Sequence, residues 1–146
     1  MIDLDTSAFI KLYILEAESE SLQSLIATQD HPLPVWDILE AEFCNAMRLK
    51  VFWGELKEAQ AAEQIEHYER RKSAGQYFTP DVSRPAVMTS FHALSRETSR
   101  LGCRTMDILH VAFALQITPQ TFVTYDERQR GLAEHAGLRI WHGETA

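Results

Sequence analysis

Short apolar runs alternate along this chain with longer stretches in which apolar residues recur every three or four positions. Residues 2–5 read as a strand that runs into an N-cap signal at Asp5-Thr6-Ser7, with Ala8-Phe9-Ile10 and Leu12-Tyr13-Ile14-Leu15 continuing as helix. A second helix is predicted over 19–27, with Leu22, Leu25 and Ile26 on one face. Prolines at 32 and 34 punctuate the chain before a strand at Val35-Trp36, and Asp37 then caps a helix over 38–51 that Gly54 closes. In that helix Leu39, Phe43, Ala46, Met47 and Lys50 fall at helical spacing. A charged helix follows over 55–73 with the stripe Leu56, Ala59, Ala62, Ile65 and Tyr68, and 77–80 is extended. Helices over 85–100, 105–115 and 126–136 surround a strand at 121–124, and 138–141 is the last strand.

Short apolar strands alternating with helices predict an α/β fold: a three-layer α/β/α arrangement with a short-stranded, mainly parallel sheet flanked by helices. The 146 residues fit one domain spanning 1–146. In such sheets ligands bind beyond the carboxyl ends of the strands, where Asp5 and Asp126 are expected.

Composition narrows the class. The apolar share of 45% and the charged share of 24% are those of an ordinary soluble protein. No apolar stretch reaches membrane-spanning length, and the start Met1-Ile2-Asp3-Leu4-Asp5 is unlike a signal peptide, so a cytoplasmic protein without membrane contact is expected. Cys44 and Cys103 lie in apolar helical patterns without metal spacing and read as reduced packing residues. A formal charge of −7 argues against a general nucleic-acid coat, because non-specific affinity comes from neutralising phosphates. It leaves room for a nuclease with a local basic rim.

The candidate chemistry lies in four acids: Asp5, Glu42, Asp107 and Asp126. Each has a plain alternative. Asp5 and Asp126 can serve as helix caps, although Thr6 or Ser7 can cap in place of Asp5. Asp107 lies one turn into an apolar helix, where a buried carboxylate needs a partner or an ion, and Arg104 is one such partner. Glu42 can be a solvated helical residue. Gathered together, such groups repel by roughly 4 kcal/mol per close pair at an effective dielectric of 20. Protonation or a bound cation relieves that repulsion, and a pocket of carboxylate oxygens suits Mg²⁺ or Mn²⁺.

The segments Leu4-Asp5-Thr6-Ser7-Ala8-Phe9-Ile10-Lys11-Leu12-Tyr13, Glu42-Phe43-Cys44-Asn45-Ala46-Met47-Arg48, Arg104-Thr105-Met106-Asp107-Ile108-Leu109-His110-Val111-Ala112 and Thr124-Tyr125-Asp126 together resemble a PIN-domain protein, in particular the VapC-type toxin ribonucleases of type II toxin–antitoxin pairs. The resemblance spans the chain. It implies an endoribonuclease dependent on Mg²⁺ or Mn²⁺, with Asp5, Glu42, Asp107 and Asp126 as metal-binding and catalytic acids and Thr6, Ser7 and Thr124 orienting them. It further implies an RNA substrate, a homodimer and a small protein antitoxin. A PIN nuclease of housekeeping RNA processing is the alternative.

Glu127 is an alternative fourth acid, and Asp3 is an extra acid where an apolar residue is expected. Lys11, Arg48 and Arg104 are candidate phosphate contacts. His110, three residues after Asp107, reads as a hydrogen-bonded packing residue, and Trp53 as apolar surface for a partner. The Asp3-Leu4-Asp5 string also resembles the opening of haloacid-dehalogenase-type phosphatases, but only Met1 and Ile2 precede Asp3, too few for the strand those enzymes need.

Overall fold

A computed structural model describes residues 1–143. Strand β1 (Ile2–Leu4) runs parallel to β4 (Thr121–Val123), pairing Ile2 with Thr121, Asp3 with Phe122 and Leu4 with Val123. Strand β2 (Leu33–Pro34) runs parallel to β3 (Tyr77–Phe78), and the two pairs abut through β1 and β2. A single parallel bridge between Phe122 and Ile140 adds the far edge. The result is the expected small parallel sheet flanked by helices.

The helices are α1 (Thr6–Ile10), α2 (Ser19–Ala27), α3 (Asp37–Phe52), α4 (Glu58–Ser73), α5 (Arg84–Leu94), α6 (Thr98–Leu101), α7 (Thr105–Ile117) and α8 (Glu127–His135). Several boundaries differ from the sequence expectation for local reasons. The first helix stops at Ile10, and the following turns leave Leu15 almost fully exposed. The second strand falls at Leu33–Pro34 because the backbone N–H groups of Leu33 and Val35 donate to the carbonyls of Gln76 and Phe78. Trp36 is the N-cap of α3 and Asp37 its first helical residue. The expected helix over 85–100 breaks into α5, a 3₁₀ turn at Ser95–Glu97 and α6, which Gly102 terminates in the left-handed conformation. In α4 the buried positions are Ala61 and Tyr68, while Ala59 and Ala62 face solvent. The expected last strand is reduced to the Ile140 bridge.

Two cores flank the sheet. One packs Ile2, Leu4, Phe9, Leu39, Phe43, Met47 and Tyr68. The other packs the apolar α7 residues Ile108, Val111 and Ala112 against Phe122, Leu132 and Val87. Phe9, fully buried, is the hub of the first: its ring meets Phe43 edge-on at 5.3 Å and lies within 6 Å of Tyr13, Tyr68 and Tyr77. The hydroxyls of Tyr13 and Tyr77 lie 2.6 Å apart, and the Tyr68 hydroxyl donates to Glu40. Phe52 and Trp53, at the end of α3, are exposed. No helix among the described residues is long and apolar enough to cross a membrane. Phe9→Ala is expected to cost about 3–5 kcal/mol in denaturant unfolding, the range for truncating a buried aromatic; a loss under 1 kcal/mol would contradict the hub role.

Candidate active site

Each aspartate of the four is fixed at a helix N-terminus, where backbone N–H groups favour negative charge. Asp5 follows β1, accepts from Ala8 N at 2.9 Å as N-cap of α1, and so takes the capping role that Thr6 or Ser7 might have filled. Both its oxygens accept from the Ser7 hydroxyl, and Oδ2 lies 2.7 Å from Thr124 Oγ1. Asp126 follows β4 and caps α8 through Gln129 N at 2.9 Å. Asp107, in the first turn of α7, accepts from Arg104 N at 2.8 Å. Glu42, on α3, accepts from Thr6 Oγ1 at 2.8 Å and from His110 Nε2.

The three aspartates share one network, and Glu42 forms a separate group with Thr6 and His110. Thr124 Oγ1 sits between Asp5 and Gln129 Oε1, at 2.8 Å from the latter, and Gln129 Nε2 donates to the Asp107 carbonyl at 3.1 Å. Arg104 joins the other two acids: Nε lies 3.4 Å from Asp107 Oδ2 and Nη2 lies 3.5 Å from Asp126 Oδ2. Among the described residues, no hydrogen bond reaches Glu42 Oε2 or Asp107 Oδ1.

Burial governs the charge states. Asp5 is buried and its pKa is raised chiefly by desolvation, against the opposing pull of His110, Thr124, Ala8 and Ser7. Thr124 Oγ1 donates to Asp5 Oδ2 and also lies within hydrogen-bond distance of Gln129 Oε1. Asp3, buried in β1, is pushed up to about 8 by desolvation, with Asp5 adding to the rise and His110 opposing it. Burial would lower the His110 pKa, but the hydrogen bond and charge of Glu42, with Asp5 and Asp3, raise it above the usual value. Burial would raise Glu42, yet His110, Thr6 and Arg104 bring it below the usual value. The two shifts agree, and His110–Glu42 is an imidazolium–carboxylate pair.

No family model matches the chain, and no curated protein matches it in sequence. Solved structures do match in shape. Mycobacterium tuberculosis VapC20, a Sarcin-Ricin loop cleaving toxin, superposes at a TM-score of 0.67 with 15% identity, over 90% of this chain and 94% of its own. The chain has a PIN-like fold. FitAcB from Neisseria gonorrhoeae aligns at a TM-score of 0.66 with 17% identity, over 97% of both chains. VapBC-1 from nontypeable Haemophilus influenzae aligns at 0.64 with 15% identity, again over 97% of both.

Thr6 hydrogen-bonds Glu42, and Ser7 and Thr124 hydrogen-bond Asp5, while Glu42 has no direct contact with the three aspartates among the described residues. Asp126, not the exposed Glu127, is the acid tied through Arg104 to Asp107. The three expected phosphate contacts part ways. The Arg104 side chain is 70% exposed beside the acids. The Lys11 amine is buried, 2.6 Å from Glu16 and 2.7 Å from Glu18 over the Tyr125 ring, and so is not offered to a phosphate. Arg48 bonds the Cys44 carbonyl of its own helix and lines a groove with the α4 residues Ala61, Ala62 and Ile65. Sequence reading missed Gln129, almost fully buried, which links Thr124 to α7. Its position three residues before the buried Leu132 places it on the inner face of α8, a signal that was available. Asp3, the extra acid of β1, is buried.

Asp3 and His110 bind more protons folded than unfolded wherever pH lies between their two pKa values. The stability they contribute is full below the unfolded values and is lost as pH rises through the folded ones. For Asp3 the window runs from 3.8 to about 8. In chelator, the melting temperature should therefore fall between pH 5 and pH 8. Asp3→Asn should flatten that slope and stabilise the fold at pH 8 by on the order of 2 kcal/mol. An unchanged slope would show that Asp3 is not the buried acid responsible.

Proposed function

We propose that the chain is a metal-dependent endoribonuclease and the toxin half of a type II toxin–antitoxin pair, acting on RNA and held in check by a small protein antitoxin. The observation that carries this reading is the hydrogen-bonded group of Asp5, Asp107 and Asp126, with Asp5 following β1 and Asp126 following β4, on a fold shared with VapC20 and VapBC-1. A homodimer is part of the same reading, with the exposed Phe52 and Trp53 offering apolar surface to a partner.

The donor set fits a hard divalent cation. It is made of carboxylate oxygens, of which Glu42 Oε2 and Asp107 Oδ1 are free of protein hydrogen bonds among the described residues, and a guanidinium already stands as the cation between Asp107 and Asp126. Mg²⁺ or Mn²⁺ bound there supplies an acidified water for in-line attack and neutralises charge that develops on the phosphodiester. Asp5, Glu42, Asp107 and Asp126 would hold the ion. Ser7 and Thr124 fix the plane of the Asp5 carboxylate. Thr6 and His110 pin one oxygen of Glu42 and leave the other facing the site. Arg104, at the rim, is the side chain best placed to meet an RNA phosphate.

Asp5→Asn or Asp107→Asn should reduce RNA cleavage and growth arrest by about 10³-fold or more, with an unchanged circular dichroism spectrum. EDTA should silence the wild type and Mn²⁺ or Mg²⁺ restore it. Full cleavage by either variant, or chelator-resistant cleavage by the pure protein, would remove the assignment.

A further inference from the structure

Among the described residues, no three His, Cys, Asp or Glu side chains converge as a ready-made ligand set. The acids of the site stand slightly apart, and what lies between two of them is Arg104. Its contacts to Asp107 Oδ2 and Asp126 Oδ2, at 3.4 and 3.5 Å, are longer than the 2.7–2.9 Å of a well-formed charge-assisted bond. The guanidinium neutralises the pair without being locked to it. With the side chain 70% exposed, swinging it into solvent costs little. Asp107 does not need the guanidinium for its orientation, because Oδ2 also accepts the Arg104 backbone N–H at 2.8 Å, a bond that any residue at position 104 retains.

We infer that Arg104 is the resident counter-cation of the Asp107–Asp126 pair, and that its guanidinium and a divalent metal ion hold that pair in mutual exclusion. This rests on the metal-dependent reading above and adds to it a competition internal to the chain. With the metal site vacant, Arg104 lies across the acids. With a cation bound, the two carboxylates turn to it, and Arg104 is released at the rim of the site with its five N–H donors free for an RNA phosphate. The same residue thereby weakens metal binding in the absence of RNA and strengthens RNA binding once metal is present, so that the two ligands favour each other.

The test is Mn²⁺ binding by the full-length chain, followed by titration calorimetry and by the electron paramagnetic resonance of free Mn²⁺, with no RNA and no turnover. Arg104→Gln should tighten Mn²⁺ about tenfold, the scale of removing two exposed ion pairs. Arg104→Lys, which keeps the charge and loses the fork, should fall between. Arg70→Gln, which removes a cation of the same kind paired with Glu66 on α4, should leave Mn²⁺ affinity unchanged. Equal or weaker Mn²⁺ binding by Arg104→Gln, beside a wild type that does bind, would overturn the competition and leave the metal reading intact. Absence of Mn²⁺ binding in both wild type and Arg104→Gln would overturn the two together.

Discussion

Crowding of carboxylates away from water is the constraint on which this molecule turns. Asp3 and Asp5 are buried on consecutive alternate positions of one chain segment, Asp107 is buried on the helix packed beside it, and Glu42 and Asp126 close the group. A bare cluster of this kind would unfold the end of the sheet. It persists because each carboxylate meets donors fixed by the backbone or by buried side chains. Helix N-termini serve the three aspartates of the site, Ser7 and Thr124 serve Asp5, and His110 with Thr6 serves Glu42. Burial raises the pKa of Asp3 and of Asp5, and one exposed guanidinium stands beside Asp107 and Asp126.

That solution gives the site two layers with different stiffness. The inner layer of Asp3, Asp5, Thr124, Gln129 and His110 is buried and rigidly bonded. The outer layer of Asp107, Asp126 and Arg104 has longer contacts and an exposed cation. On the proposed reading, an ion entering from solvent would meet the outer layer first, and the inner carboxylates would need little reorganisation to receive it. The same reading would let a chain with a formal charge of −7 address RNA, by concentrating attraction at the site instead of spreading it over the surface.

Much of the architecture was legible in the chain. The span of α2 is read correctly from Leu22, Leu25 and Ile26, and α3 and α7 are read within two residues of their ends from their apolar registers. Failures gather where tertiary contacts overrule local preference. The apolar Leu12–Leu15 segment suggests more helix, yet the chain turns after Ile10 and the Lys11 amine is drawn to Glu16 and Glu18. The strand of residues 33–34 is set by the partner backbone at 76–78, which no local pattern reveals. Lys11 and Arg48 look like equal members of a basic rim in the sequence, but their neighbours in space are carboxylates for one and its own helix for the other.

The sequence alone determined the residue types and their capping positions: an acid after each of two strands, another in the first turn of an apolar helix, and a glutamate on a fourth element. Those are local properties, fixed by strand ends, N-cap preferences and helical spacing. Only the tertiary structure decided which acids are buried with raised pKa values, which oxygens lack a hydrogen bond among the described residues, and that Arg104 bridges Asp107 to Asp126. Desolvation and Coulomb energies depend on distances between segments up to 119 residues apart, as Asp5 and Thr124 are, and chain order does not encode those distances.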